Sequence, residues 1–228
     1  MLLAAGMATP HASPPHFSPP SWARDAVAEL ALRDPDFVRI EAIAGPLAWH
    51  RRPRGFPGLL RAICGQWISN EAAAAVFRRV SALPGATEPA GLLALSTDAL
   101  CGTGGLSRQK AAHARALAEA CLDGTLRLDL LDTMPEDEAV RHLCRVRGLG
   151  PWTAEVHLLF SLGRPDVFPS GDLALQAAAG HLLGLPARPD AKAVAAIARD
   201  WAPVRSVAAR LLWHHWLHHT KRATLDPA

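Results

Sequence analysis

Apolar residues recur at helical spacing along almost the whole chain, and no segment shows the strict alternation typical of a half-buried strand. Between residues 23 and 32, for example, Val27, Leu30 and Ala31 fall on one helical face. The same period predicts helices over 56–68, 71–80, 107–121, 135–145, 151–162, 172–183, 190–201 and 204–218. Asn70 and Ser107 are predicted N-caps. The pattern therefore predicts an all-α fold of about ten helices.

Composition limits the class of protein. Half of the 228 residues are apolar, which is enough for a sizeable core, and a net charge of +3 permits nucleic-acid binding without specifying it. The four cysteines form no CxxC pair, so reduced thiols are expected rather than a zinc or iron–sulfur site. Residues 1–22 hold no Lys or Arg, and no apolar run has the length of a membrane span. These features predict a soluble, cytoplasmic protein with no membrane association.

The ends of the chain differ from the rest. Residues 8–21 contain five prolines and no charged side chain, which favours a disordered leader. We expect a leader over 1–21, one helical domain over 22–219 and a flexible tail over 220–228.

A tight hairpin is predicted between two helices at residues 146–154. Gly148 and Gly150 allow a sharp turn, Leu149 can fill the gap between the helices, and Pro151 suits a first helical turn. The backbone N–H groups that begin the second helix would then face outward, where a phosphate can bind. Plain packing of two helices explains the same residues, so the pattern alone leaves both interpretations open.

Asp172 stands at the predicted start of a helix. An aspartate at this position serves as an N-cap. The same helix terminus also stabilises a negative charge, and a fixed anion at a cleft edge can stabilise an oxocarbenium-like transition state. The two roles are compatible.

Several blocks, in order, resemble the DNA-3-methyladenine glycosylase II group of the helix-hairpin-helix DNA glycosylase superfamily. The resemblance covers roughly residues 30–218. The blocks lie at 56–69, 105–111, 148–155, 166–173 and 201–213, and their most characteristic runs are Gly148-Leu149-Gly150-Pro151-Trp152 and Asp166-Val167-Phe168-Pro169.

The resemblance implies two helical lobes around a central cleft, with Asp172 as the catalytic carboxylate. It implies a base pocket formed by Trp152, Trp213 and Phe56. It also implies DNA contacts from the hairpin and its surroundings: Arg147, Gly148, Leu149, Gly150, Thr153 and Lys110. In this family a monovalent cation bridges hairpin carbonyls and a phosphate, which would place such a cation at the backbone of Arg147 and Leu149. No other metal and no cofactor is expected.

Three departures from the family pattern matter. Trp67 stands where Gln or Leu is usual, so Gln66 and Trp67 are candidates for the side chain that fills the gap in the duplex. Val204 replaces a tryptophan of some relatives. The N-terminal β-domain of longer relatives is not evident, so a compact form is expected.

Trp152 occupies the position at which bifunctional relatives carry a nucleophilic lysine. Without that amine no Schiff base can form, which predicts a monofunctional enzyme that uses water.

The remaining side chains receive structural predictions. Trp22, Trp49, Trp201 and Trp216 are expected in the core or packed between the lobes. Histidines 214, 215, 218 and 219 suit a helix C-terminus better than a metal site. Candidate phosphate contacts are Arg51, Arg52, Arg54, Arg108, Lys110, Arg147 and Arg205, of which Arg147 and Lys110 flank matched blocks.

The function predicted from the sequence is monofunctional hydrolysis of the N-glycosidic bond of alkylated bases, 3-methyladenine and 7-methylguanine, by a monomer acting on double-stranded DNA. Three alternatives stay open. They are release of other bases (hypoxanthine, uracil or 1-methyladenine), a non-catalytic helix-hairpin-helix DNA-binding protein, and an unrelated metal-dependent helical enzyme.

Overall fold

The computed structural model describes residues 19–221, and most of the predicted leader and tail lies outside these residues. The described residues contain helices and turns and no strand, which confirms the all-α prediction. The α-helices are α1 (Ser21–Arg33), α2 (Val38–Ala44), α3 (Gly55–Gly65), α4 (Asn70–Ser81), α5 (Pro89–Ala94), α6 (Arg108–Leu122), α7 (Glu136–Leu143), α8 (Pro151–His157), α9 (Leu173–Leu182), α10 (Ala191–Ile197) and α11 (Arg205–His219). None of these helices combines the length and apolar character that crossing a bilayer requires.

Shorter helical segments connect these elements. Turns of 3₁₀-helix span Pro35–Phe37, Leu128–Asp132 and Ala198–Trp201, and π-helical turns span Ala99–Thr103 and Leu158–Leu162. The last of these continues α8 directly, so α8 and its extension form one continuous rod, in which residues 156–161 are buried.

The helices form two groups that are interleaved along the chain. In the first, α3 packs against α4, α6 and α8, while α5 packs on α6 and α7 packs on α8. In the second, α11 packs against α1, α2 and α9, and α10 packs on α9. The second group thus combines helices from both ends of the described chain. Helix α3 lies deep in the first group, with Leu59, Leu60 and Ile63 fully buried.

Helix boundaries follow local capping chemistry. The Ser107 hydroxyl accepts a hydrogen bond from the Lys110 N–H, as its N-cap assignment predicts. The predicted N-cap at Asn70 is wrong, because Ser69 caps α4 through the Ala72 N–H. The helix predicted to reach residue 68 ends at Gly65, since Trp67 has a φ of +61° that no α-helix accommodates.

Candidate active site and nucleic-acid interface

Asp172 is the N-cap of α9, and its carboxylate is held by three N–H donors. Oδ1 accepts from the Leu175 backbone N–H at 2.9 Å and from the Trp213 indole at 3.2 Å. Oδ2 accepts from the Trp152 indole at 2.8 Å. The two indoles come from α8 and α11, so three helices converge on one carboxylate. Its orientation is therefore fixed before any ligand binds.

This carboxylate lines a cleft of about 830 Å³, large enough for a nucleobase and part of its sugar. Trp152 and Asp172 are half-buried, so both reach the cleft while remaining anchored. Trp213 is almost completely buried and forms part of the floor. The structure thus brings together Asp172, Trp152 and Trp213, which the family resemblance placed in one site.

One residue predicted for the base pocket lies outside the cleft lining. Phe56 is buried at the start of α3 and is not part of the cleft lining, because its helix turns that ring into the core. Trp216 packs against the core, as predicted, and it also lines the cleft three residues after Trp213 on α11. Trp49 and Trp201 are buried as expected, and Trp22 packs edge-on against Trp49 at 5.8 Å.

Phe160 is a pocket residue that the sequence did not single out. Its ring stacks on Trp213, with ring centroids 5.5 Å apart, and it lines the cleft from the π-helical turn after α8. Only its position eight residues after Trp152, on the same continuous rod, could have indicated this role. A π-helical turn shifts the helical register and hides such a relation from a 3.6-residue pattern.

The hairpin has the predicted geometry. Gly148 has a φ of +92°, and an added Cβ would overlap the His113 ring on α6. Leu149 is buried between the helices, and Gly150 precedes α8 with open space around it. Arg147 is exposed beside the turn. Because the first N–H groups of a helix lack internal partners, the Gly150 end of the hairpin remains suited to a phosphate.

Thr153 does not face DNA as predicted. It is 3% exposed, and its hydroxyl lies 3.3 Å from the Gln66 side-chain nitrogen. The same nitrogen donates to the Gly148 carbonyl at 2.8 Å. Gln66 therefore ties the loop after α3 to the hairpin, and this bonding makes it unsuitable as the residue that enters the duplex.

Trp67 is the better candidate for that role. Its side chain is 99% exposed, and it stands on the cleft rim next to Ile68. The exposed indole of Trp67 costs the free protein the stabilisation that burial of such a ring would give, and the positive φ of Trp67 adds a conformational cost. Both costs suggest a ring positioned for a ligand.

Lys110, a predicted DNA contact, has a hydrogen-bond partner within the protein. Its amine donates to the Cys64 carbonyl at the end of α3, and burial lowers the pKa of the group. Two of the candidate arginines are occupied as well. Arg54 pairs with Asp132 at 2.6 Å, and Arg205 pairs with Asp166 at 2.8 Å. Arg51, Arg108 and Arg147 are exposed.

The hairpin carbonyls fit the cation that the resemblance implies. Gln66 uses the Gly148 carbonyl, while no hydrogen bond within residues 19–221 uses the carbonyls of Arg147 and Leu149.

Elsewhere in these residues no group of three His, Cys, Asp or Glu side chains is arranged for a metal ion. The histidines of α11 instead contact a ring on α9, with His181 Nδ1 and His215 Nε2 2.9 Å apart.

A carboxylate fixed at a cleft beside a glycine hairpin is the arrangement that the family resemblance implies. These features are those of a helix-hairpin-helix DNA glycosylase.

The comparison with known families agrees. The model described as "HhH-GPD superfamily base excision DNA repair protein" matches residues 60–204, more than half of the chain. The chain therefore belongs to the HhH-GPD superfamily of base excision DNA repair proteins.

Individual relatives share much of this fold. The structure of the Schizosaccharomyces pombe 3-methyladenine DNA glycosylase Mag1 in complex with abasic DNA superposes with a TM-score of 0.75 at 26% identity, covering 85% of this chain and 95% of Mag1. A DNA-3-methyladenine glycosidase from Bacillus halodurans gives a TM-score of 0.74 at 30% identity, covering 86% and 91%. The Bacillus subtilis protein YfjP is 35% identical over 107 residues, so the match spans 47% of this chain but only 37% of YfjP.

Proposed function

We propose that this chain is a monofunctional DNA glycosylase that hydrolyses the N-glycosidic bond of alkylated bases, among them 3-methyladenine and 7-methylguanine. The observation that carries the proposal is the Asp172 carboxylate, held between the Trp152 and Trp213 indoles at the cleft. Relatives named for 3-methyladenine excision share the fold over most of the chain.

Binding begins at the hairpin, where the backbone N–H groups around Gly150 meet a phosphate. Trp67 then enters the duplex at the gap left by the extruded nucleotide. Extrusion costs a few kcal/mol and is least costly for weakly paired bases, so the damaged base is favoured before any contact is made with the pocket.

The alkylated base enters the cleft beside Trp152. The base is cationic in DNA, and the face of an indole attracts a cation by about 1–2 kcal/mol when water is excluded. The C1′–N bond then breaks, and its electron pair leaves with the base, which becomes neutral. Because the leaving group is already cationic, no acid is needed to protonate it.

Asp172 faces the sugar as positive charge develops at C1′. Its negative charge stabilises that centre, and the three N–H donors hold the carboxylate without reorganisation during the reaction. A water oxygen adds to C1′, and its proton passes to Asp172 or to solvent. The products are the free base and an abasic site.

The lining supports hydrolysis without a lyase step. Among the described residues that form the cleft there is no lysine, and Trp152 occupies the position at which a lysine would attack C1′. We propose that the enzyme acts on double-stranded DNA as a monomer, since Asp172, Trp152 and Trp213 need no group from a second subunit to form the hydrogen bonds described above. All four cysteines are free, which suits the reducing cytoplasm.

The proposal is tested by incubating the protein with methylated DNA, identifying the released bases by mass spectrometry and assaying strand breaks before and after alkali. We expect 3-methyladenine and 7-methylguanine in solution, and breaks only after alkali. Absence of released base would refute the glycosylase assignment. Breaks without alkali, together with a borohydride-trapped protein–DNA adduct, would refute the monofunctional mechanism.

A further inference from the structure

Arg52 belongs to the cleft, although its sequence position suggested only a phosphate contact. It is half-buried and forms part of the cleft lining. Its backbone N–H donates to the Phe160 carbonyl at 3.2 Å, and its guanidinium lies 4.7 Å from the centre of the Phe160 ring. Both backbone and side chain are therefore fixed on the same aromatic residue.

Phe160 connects Arg52 to the reacting centre. The Phe160 ring stacks on Trp213, and the Trp213 indole donates to Asp172. Arg52 thus lies on the wall of the cleft that also holds the carboxylate. Arg61, which also lines the cleft, stacks instead on Phe77 of α4 at 5.3 Å.

The neighbouring Arg210 has a different role. It packs on Phe160 at 4.4 Å, but it is 3% exposed and donates to the carbonyls of His50 and Leu159. Arg210 therefore supports the wall from behind, and Arg52 is the guanidinium on the cleft side.

A guanidinium carries five N–H donors, no acceptor and a permanent charge. A purine in this cleft presents at C6 either a carbonyl oxygen, which accepts hydrogen bonds, or an amino group, which donates them. We propose that Arg52 makes the pocket select purines with a carbonyl oxygen at C6 over purines with an amino group there. The proposal rests on the glycosylase function proposed above and assigns that site a substrate preference.

The two methylated purines provide a clean comparison. In DNA, 7-methylguanine and 3-methyladenine both carry a positive charge, so charge repulsion from Arg52 acts on both, but 7-methylguanine has a C6 carbonyl and 3-methyladenine has a C6 amine. The ratio of their release rates therefore isolates the hydrogen-bond preference from the charge of the pocket.

The experiment measures single-turnover release of both bases from one methylated DNA sample by wild type, Arg52→Met, Arg52→Lys and Arg51→Met. Loss of a guanidinium contact to a base edge should lower the 7-methylguanine to 3-methyladenine ratio about tenfold in Arg52→Met. Arg52→Lys keeps a donor-only cation and should retain most of the ratio. Arg51 is exposed and outside the cleft lining, so any phosphate contact it makes affects both substrates equally, and Arg51→Met should leave the ratio unchanged whatever it does to the overall rates.

A hypoxanthine-containing duplex extends the test to an unmethylated 6-oxopurine, whose release should fall in Arg52→Met by a similar factor. An unchanged ratio in an Arg52→Met protein that still releases both bases would overturn the proposal. If the Arg52→Met protein does not melt cooperatively, Arg52→Gln takes its place. The neutral glutamine amide both donates and accepts hydrogen bonds, so the ratio of 7-methylguanine to 3-methyladenine release should be lowered in the same way. Wild-type protein that releases neither methylated base would instead refute the glycosylase function and the Arg52 proposal with it.

Discussion

The two indoles that hold Asp172 are not equivalent, and replacing each by phenylalanine should reveal this. Oδ2 has the Trp152 indole as its hydrogen-bond donor, at 2.8 Å. Oδ1 has two donors, the Trp213 indole at 3.2 Å and the Leu175 backbone N–H at 2.9 Å. Trp152→Phe therefore leaves one oxygen without its protein donor, whereas Trp213→Phe leaves both oxygens bonded.

The magnitudes follow from these bonds. A hydrogen bond to a charged group contributes about 1.5–3 kcal/mol, and the half-buried position of Asp172 favours the lower end because water can replace the donor. Trp152→Phe should thus slow base release by about tenfold or more, since 1.4 kcal/mol corresponds to a factor of ten. The longer Trp213 bond has a retained partner, so we expect about threefold for Trp213→Phe.

Single-turnover release of 7-methylguanine is the assay, with affinity for abasic-site DNA as a measure of intact binding. Trp216→Phe is the matched control, because Trp216 lines the same cleft and no described bond joins its indole to Asp172. Equal losses in all three variants would refute the reasoning, as would a full rate in Trp152→Phe.

Three further predictions concern the hairpin, the rim and a buried acid. Gly148→Ala should lower the free energy of unfolding by about 2 kcal/mol or more in urea titrations, because its φ is positive and the added Cβ would overlap the His113 ring. Gly150→Ala should leave that free energy almost unchanged, because the added Cβ would meet open space. Trp67→Ala and Trp67→Gly should both weaken binding to lesion DNA, but the glycine variant should melt higher because it relieves the positive φ. Burial raises the pKa of Glu155 from 4.5 to about 7, so ionising it reduces stability as the pH rises through that interval. Glu155→Gln should therefore raise the melting temperature more at pH 8 than at pH 5.

The long helices could be predicted because apolar residues recur at helical spacing over several turns, and Ser107 and Asp172 mark the starts of α6 and α9. Helices α2 and α5 were not predicted, since seven and six residues give too few periods for a pattern. The N-cap role of Asp172 was predictable because this aspartate directly precedes a helical pattern, and its proposed catalytic role rests on the coincidence of that position with the family motif.

The pocket wall was less accessible to sequence reasoning. Trp213 and Trp216 lie on the same helix, and which of them faces the core depends on how α11 packs against α9. The roles of Arg52 and Phe160 arise from contacts between segments more than one hundred residues apart, which no local pattern encodes. Lys110 and Thr153 lie in or beside blocks that match the family, yet Lys110 donates to the Cys64 carbonyl at the end of α3, and the Thr153 hydroxyl contacts the Gln66 side chain.

The most direct measurement compares base release and DNA binding in Asp172→Asn. The amide keeps the size of the side chain and its capping oxygen but removes the negative charge that would face C1′. We expect base release from methylated DNA to fall by at least a hundredfold, with affinity for lesion-containing duplex within a few-fold of wild type. Melting should stay cooperative but shift down by a few degrees, because the amide nitrogen then faces the Trp152 indole N–H, donor against donor. Turnover close to wild type in a folded Asp172→Asn protein would contradict the central role of this carboxylate.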